Sequence, residues 1–196
     1  MNDIYYNSTN DIDSTALIGP DVTIGKGNKI GAYVVITGRV IIGDNNYISP
    51  FVCIGEPGEY RDKTGNGSVV IGNRNQIREF VAIQGPVLTD KTSIGDNCMI
   101  MHGCHVAHDN LIYNDVTIAP LTSLGGMVRI FEGATLGQHV VIHPRLKVGK
   151  YAMIGMNATV TKDVPEFETW IGSPAKFMKI NEKGKLKYES KYNHSV

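Results

Sequence analysis

The sequence predicts an all-β chain wound as a parallel β-helix, and three observations carry that prediction. Branched aliphatics recur every six residues: Ile18, Ile24, Ile30, Ile36, Ile42, Ile48 and Ile54, then Ile71, Ile77 and Ile83, then Ile94 through Val160 without a miss. The residue after the lead is often glycine, as at Gly31, Gly43, Gly125 and Gly137. The residue four after it is small, branched or Asn, as at Val22, Asn28, Val40, Cys98, Cys104 and Ala134. A six-residue period is the signature of a parallel β-helix, each hexad giving one short strand and one corner. An ordinary globular core would not hold phase through the twelve hexads that end at Val160.

In chain order, residues 1–13 read as an N-terminal cap, 14–162 as the hexapeptide-repeat β-helix and 163–196 as a C-terminal capping extension. Three hexads close one triangle, so the repeat makes about seven triangular coils, stacked at roughly 4.8 Å. Lead aliphatics fill the interior, and glycine or Asn at the corners accepts backbone angles that other residues resist. The ends of such a stack need covering. Trp170, Ile171, Phe177 and Met178 are suited to cover the last coil, and Asn181–Lys185 reads as a turn between two short strands. Cys98 and Cys104 fall at equivalent inward positions and, with Cys53, form no metal-type spacing; buried free cysteine behaves as a small hydrophobe.

Nineteen basic residues balance nineteen acidic ones. Zero net charge gives no electrostatic case for nucleic acid or an anionic membrane surface. The opening Met-Asn-Asp-Ile-Tyr-Tyr lacks the features of a signal peptide, and no stretch reaches the apolar length of a membrane span. The expected compartment is the cytoplasm.

The interruptions of the beat point to function. From Ile54 to Ile71 there are eleven residues beyond one hexad, and from Ile83 to Ile94 there are five. The two insertions follow hexads that lie one full coil apart, so both leave the same corner column. Each starts at the third place of its hexad, at Glu56 and Gly85. One coil further on, the same third place is His108, and His143 follows two coils later. Loops standing beside a rigid wall are the usual way a scaffold builds a binding site.

His102, His105 and His108 lie within seven residues. A neutral imidazole is suited to take a proton from a hydroxyl or amine and return it to a leaving group. His108, aligned with both loops, is the candidate general base. His105 is a substrate contact or a neighbour, and His102 a residue of the solvated wall. Asp109 is expected to point away from His108, because adjacent strand residues face opposite sides, and would orient that ring only through a corner geometry. Glu56, Asp62 and Lys63 on the first loop, with Gln84 and His143, are candidate acceptor contacts. Gly125 or Gly126, one coil beyond His108, is a candidate N–H donor to an oxyanion or thioester. No metal ligands are assigned; the rival reading of the histidine cluster as a zinc site lacks the spacing expected of the gamma-class carbonic anhydrases, and a non-catalytic β-helix scaffold is a further alternative.

The run Val70-Ile71-Gly72-Asn73-Arg74-Asn75-Gln76-Ile77-Arg78-Glu79, the segment His105-Val106-Ala107-His108-Asp109 and the opening Ile54-Gly55-Glu56 resemble the UDP-N-acetylglucosamine O-acyltransferases of lipid A biosynthesis. The resemblance implies a left-handed β-helix, a homotrimer with sites between prisms, His108 as general base and His105 as a substrate contact. It departs at Met127 and at His143-Pro144. The ending Trp170-Ile171-Gly172-Ser173-Pro174-Ala175-Lys176 is similar to hexapeptide acetyltransferases that use acetyl-CoA, with Gly155, Pro174 and Lys176 as the CoA contacts so implied. Together they imply an acyltransferase that moves an acetyl group from CoA to a hydroxyl or amine of a nucleotide-linked sugar in polysaccharide biosynthesis, with no covalently bound cofactor. The alternative implied is a donor on an acyl-carrier protein.

Overall fold

The computed structural model describes residues 10–192. Its strands form three walls of a triangular prism. The first wall stacks ten strands, from Asp11–Ile12 to Lys176–Ile180. The second stacks eight, from Leu17–Ile18 to Thr159–Val160. The third stacks seven, from Val22–Ile24 to Lys147–Val148. Successive strands of the chain visit the walls in turn, and the prism is a left-handed parallel β-helix. Asp11–Ile12 pairs with Lys29–Ile30, so the first wall opens inside the stretch assigned to the N-terminal cap. Residues 1–9 of that cap, and 193–196 of the C-terminal extension, lie outside the described residues.

Lead stacks on lead. Ile36 pairs with Ile54, Ile54 with Ile83 and Ile83 with Val106, although the two insertions intervene. The leads and the residues four after them form one continuous buried core. Among its buried polar residues is an asparagine ladder of Asn28, Asn46 and Asn75, each about fully buried. Asn28 Oδ1 accepts the backbone N–H of Asn46 at 2.9 Å, Asn46 Oδ1 accepts that of Asn75 at 2.9 Å, and Asn75 Oδ1 accepts that of Cys98 at 2.7 Å. The side-chain amides of Asn28 and Asn46 donate to Gly43 and Gly72 carbonyls. Every corner amide of this column is thereby paired inside the prism, where an unpaired one would be costly.

Glycine or Asn serves some corners as expected, among them Gly27, Gly103, Gly133, Asn45 and Asn97, but not most of them. The left-handed corner residue lies three after the lead and is commonly not glycine: Tyr33, Asn45, Phe51, Arg74, Phe80, Leu121 and Met127 all have φ between 56° and 65°. That conformation costs a non-glycine residue roughly 1–2 kcal/mol. Inter-coil hydrogen bonds offset it, such as Asn45 N–H to Lys26 O and Arg74 N–H to Asp44 O. Rings also stack along one edge, with centroids 5.3 Å apart for Tyr33–Phe51 and 5.1 Å for Phe51–Phe80. The glycines after the leads answer to close approach instead. A Cβ on Gly31 would lie 2.7 Å from Pro50 N, and one on Gly137 2.7 Å from Met156 N.

The C-terminal end differs from the expected turn between strands. Glu168–Ile171 extends the first wall and pairs antiparallel with Lys176–Ile180. Trp170 packs against the end of the core and donates Nε1–H to Glu168. From Glu182 to Tyr192 the chain is helical. Asn181 caps that helix, its Oδ1 accepting Gly184 N–H and its amide donating to Tyr151 O. The helix docks on the prism through Tyr188, edge-on to Tyr151 and Phe167, and through Lys191, 2.6 Å from both Asp115 and Glu132.

Asn46→Ala strands the backbone amide and the side-chain amide of Asn75 in the interior. Chemical denaturation is expected to show a loss of about 2–3 kcal/mol, the cost of unsatisfied buried groups. A neutral result would mean that the ladder is not an internal strut.

Candidate active site

The first loop, residues 55–67, and the second, 84–90, both leave the corner between the second and third walls. His108 occupies that corner on the next coil, between His105–Val106 and Leu111–Ile112. Counting hexads therefore placed loops and histidine correctly. The two loops lie on each other and on His108: a Cβ on Gly58 would meet Val87 Cγ2 at 2.5 Å and His108 Cβ at 2.6 Å. Gln84, expected to contact an acceptor, is buried, and its Oε1 accepts the backbone N–H of Glu59 at 3.3 Å, tying the first loop to the wall.

Asp109 corrects the reading of the sequence. It does not point away from His108; its Oδ2 lies 2.7 Å from His108 Nδ1. Strand alternation fails here because Asp109 is itself the left-handed corner residue, with φ 62°. Its side chain is fully buried and that of His108 nearly so. The carboxylate collects the second loop: the amides of Val87, Leu88 and Thr89 and the Thr89 hydroxyl all donate to it, the last at 2.6 Å. Three successive amides around one anion form a nest. Burial pulls the carboxyl upward, but hydrogen bonds from the Thr89 hydroxyl, the His108 ring and the Leu88 and Thr89 amides outweigh it and hold the group below its ordinary 3.8. An ionised Asp109 can only accept, so His108 Nδ1 carries a proton, and in the neutral ring Nε2 presents a lone pair.

The ring lies against the following coil. A Cβ on Gly126 would meet His108 Cε1 and Nε2, each at 2.5 Å. The two glycines are not equivalent. Gly125 N–H is spent on Ile142 O, whereas Gly126 N–H has no partner among the described residues. Asn110, missed in the sequence, is buried beneath both corners and donates to Ala107 O and Gly125 O, fixing this coil to the histidine's. Tyr60 of the first loop meets the His108 ring edge-on at 5.5 Å, and Lys63 Nζ sits 5.9 Å from the Tyr60 ring.

Other expected residues lie further away. Half-buried His105 is on the second wall between Ala82 and Ser123. His143 is exposed, two coils beyond, with Nδ1 3.3 Å from Pro144 O. Asp62 is exposed on the first loop. Glu56 accepts the Thr37 hydroxyl and lines a cavity of about 400 Å³ with Arg39, Thr64, Gly65 and Pro86, of which His108 is not a wall. Pro174 and Lys176 line a cavity of about 330 Å³ at the C-terminal end with Thr161, Lys162, Trp170, Ala175 and Phe177; Gly155 packs beside it on Ile171. Burial pushes the thiols of Cys98 and Cys104 up to about 12 and about 11, as fits core residues. Among the described residues no three His, Cys, Asp or Glu side chains converge to hold a metal, and no helix is long and apolar enough to cross a membrane.

Residues 21–56 match the model of the bacterial transferase hexapeptide family (six repeats). The acyl-[acyl-carrier-protein]–UDP-N-acetylglucosamine O-acyltransferase of Verminephrobacter eiseniae is 37% identical over 156 residues, covering 76% of this chain and 58% of that one. This chain thus spans less than two thirds of that curated relative's length. The solved LpxA of Acinetobacter baumannii superposes with a TM-score of 0.78 at 31% identity, covering 92% of this chain and 76% of that one. The UDP-N-acetylglucosamine acyltransferase of Francisella novicida does so with a TM-score of 0.69, also at 31% identity, covering 92% and 70%.

The carboxylate nest makes the second loop acid-sensitive. A carboxyl held low contributes stability that is complete above its unfolded value and is lost as pH falls through its folded one. Hydrogen exchange is expected to show protected amides at Val87–Thr89 above pH 3.8, with protection lost on acidification below it and already weak at neutral pH in Asp109→Asn. Unchanged protection in that variant would mean that the loop is held by other contacts.

Proposed function

The chain belongs to the hexapeptide-repeat acyltransferases, within the UDP-N-acetylglucosamine acyltransferase family, and from that premise we infer that it moves an acyl group from an acyl-carrier protein to a hydroxyl of a UDP-linked amino sugar. The observation that carries the reading is His108, its Nδ1 committed to the buried Asp109 and its Nε2 beside Gly126 without a hydrogen-bond partner among the described residues. The expectation of acetyl-CoA as donor is corrected. The Verminephrobacter relative is named for an acyl-carrier-protein donor; in the Gly-Ser-Pro-Ala-Lys segment that suggested CoA, Ala175 is buried and the other four residues are exposed.

In the reaction, the acceptor hydroxyl gives its proton to His108 Nε2 as its oxygen attacks the thioester carbon. Asp109 steadies the imidazolium that forms. Gly126, which packs against the His108 ring and whose N–H has no partner among the described residues, is the candidate donor for the developing oxyanion, a role closed to Gly125. Collapse of the tetrahedral intermediate expels the carrier's thiolate, which takes the proton from Nε2. Tyr60 and Lys63 stand where a sugar or its diphosphate approaches the base.

Assembly as a homotrimer fits the surface of the second wall. Its outward residues are Leu17, Val35, Cys53, Ala82, His105, Ser123, Val141 and Thr159, with no permanent charge among them. The edge beside it carries the stacked Tyr33, Phe51 and Phe80, each about half exposed. A neighbouring prism laid on this face would bury that apolar surface and close the cleft at His105 and His108. Closed cyclic symmetry satisfies such an interface.

The purified protein, given UDP-N-acetylglucosamine and an acylated carrier protein, is expected to form an O-acyl product. His108→Ala is expected to lower turnover at least about a hundredfold, the usual worth of general-base assistance, with the protein still folded. Turnover near wild type in that variant would remove His108 as the base.

A further inference from the structure

We propose that Thr89 is a positioning residue for the His108 base: it fixes which way the Asp109 carboxylate faces, and so which ring nitrogen of His108 holds the proton. Its kinetic consequence rests on the acyl-transfer reading above; its spectroscopic consequence does not.

The two carboxylate oxygens have divided duties. Oδ1 takes the Thr89 hydroxyl at 2.6 Å and the Thr89 amide at 2.8 Å. Oδ2 takes His108 Nδ1 at 2.7 Å, and the Leu88 amide is shared, 3.0 Å from Oδ2 and 3.2 Å from Oδ1. The Val87 amide is shared between them at 3.2 and 3.3 Å and favours neither. The terminal torsion of a carboxyl is broad and two-fold, so nothing intrinsic keeps one oxygen in line with the ring. Thr89 supplies the two shortest bonds to Oδ1, and apart from His108 it is the one side chain that donates to this carboxylate among the described residues. Its hydroxyl also lies 3.1 Å from Lys91 O, but a single proton goes to the nearer, charged acceptor.

The backbone beneath is anchored from the same segment. Asp109 N–H donates to the buried Thr92 hydroxyl at 2.8 Å. Lys91–Ile94, the strand that follows the second loop, is paired in register with Ser68–Ile71, which follows the first. The orientation of the base is therefore set by the second loop, and Thr89 is where that loop grips the carboxylate. If Thr89 releases Oδ1, the carboxylate can turn, Nδ1 loses its acceptor, and the ring is free to take the Nε2–H tautomer, which cannot accept a proton from a substrate.

Histidine-side-chain nitrogen NMR of the ligand-free protein tests this, with the His108 signals assigned by their loss in His108→Ala. Wild type and Thr89→Ser are expected to show the Nδ1–H tautomer with a downfield proton bonded to a carboxylate. Thr89→Val, nearly the same shape, is expected to lose that proton and populate the Nε2–H tautomer. Turnover should fall about tenfold, as for loss of a hydrogen bond to a charged group, with KM values held and Thr89→Ser restoring the rate. A wild-type spectrum without the downfield proton, or a Thr89→Val spectrum and turnover like wild type, would overturn the proposal. So would a lower melting temperature with an unchanged tautomer, which would make Thr89 a strut of the loop alone. If wild type transfers no acyl group while Thr89→Val still switches the tautomer, the positioning role stands and the acyl-transfer reading falls.

Discussion

Constant residue count between corners is the constraint on which this molecule rests. Each wall contributes a two-residue step with one aliphatic inward, and a slip of one residue would turn that aliphatic to solvent. The chain cannot absorb extra residues within a wall. It can absorb them at a corner, and it does so twice, after Ile54 and after Ile83, while the pairings Ile54–Ile83 and Ile83–Val106 keep register. The edge between the second and third walls thus becomes the one place where a rigid scaffold and long loops meet, and His108 stands on it.

At that edge the fold buries a negative charge and makes use of it. An isolated buried carboxylate would be strongly disfavoured. Asp109 is surrounded by donors, the amides of Val87 to Thr89, the Thr89 hydroxyl and the His108 ring, which together hold it ionised in spite of its burial. The same carboxylate therefore docks a loop and sets a tautomer. Holding the second loop and orienting the His108 ring are thus the work of one buried charge.

The periodic part of this structure was legible in the sequence because one residue type repeats at one interval for nearly the whole chain. The shared column of both loops and His108 followed by arithmetic. Asp109 was misread because alternation is a property of extended backbone, and the chain turns through a left-handed residue at that position. Nothing in the letters of Tyr33, Phe51 or Arg74 marks them as corner residues, since their strain is relieved by hydrogen bonds and ring stacks from coils eighteen or more residues away. Gly125 and Gly126 could not be told apart until the ladder assigned one amide and left the other. The helix at Glu182–Tyr192 was hidden by Gly184, which reads as a turn residue but is placed where a Cβ would meet Tyr151 O at 2.5 Å. The donor was misjudged because a short terminal segment was weighed above the runs at Val70–Glu79 and His105–Asp109, which resemble the family whose members are named for an acyl-carrier-protein donor.

A crystal structure of the protein with UDP-N-acetylglucosamine bound is the most direct measurement of the central claim. The account predicts a sugar hydroxyl within hydrogen-bond distance of His108 Nε2, with Nδ1 still on Asp109 and both loops flanking the sugar. A sugar seated away from that edge, or a ring whose Nε2 faces the apolar interior, would contradict it.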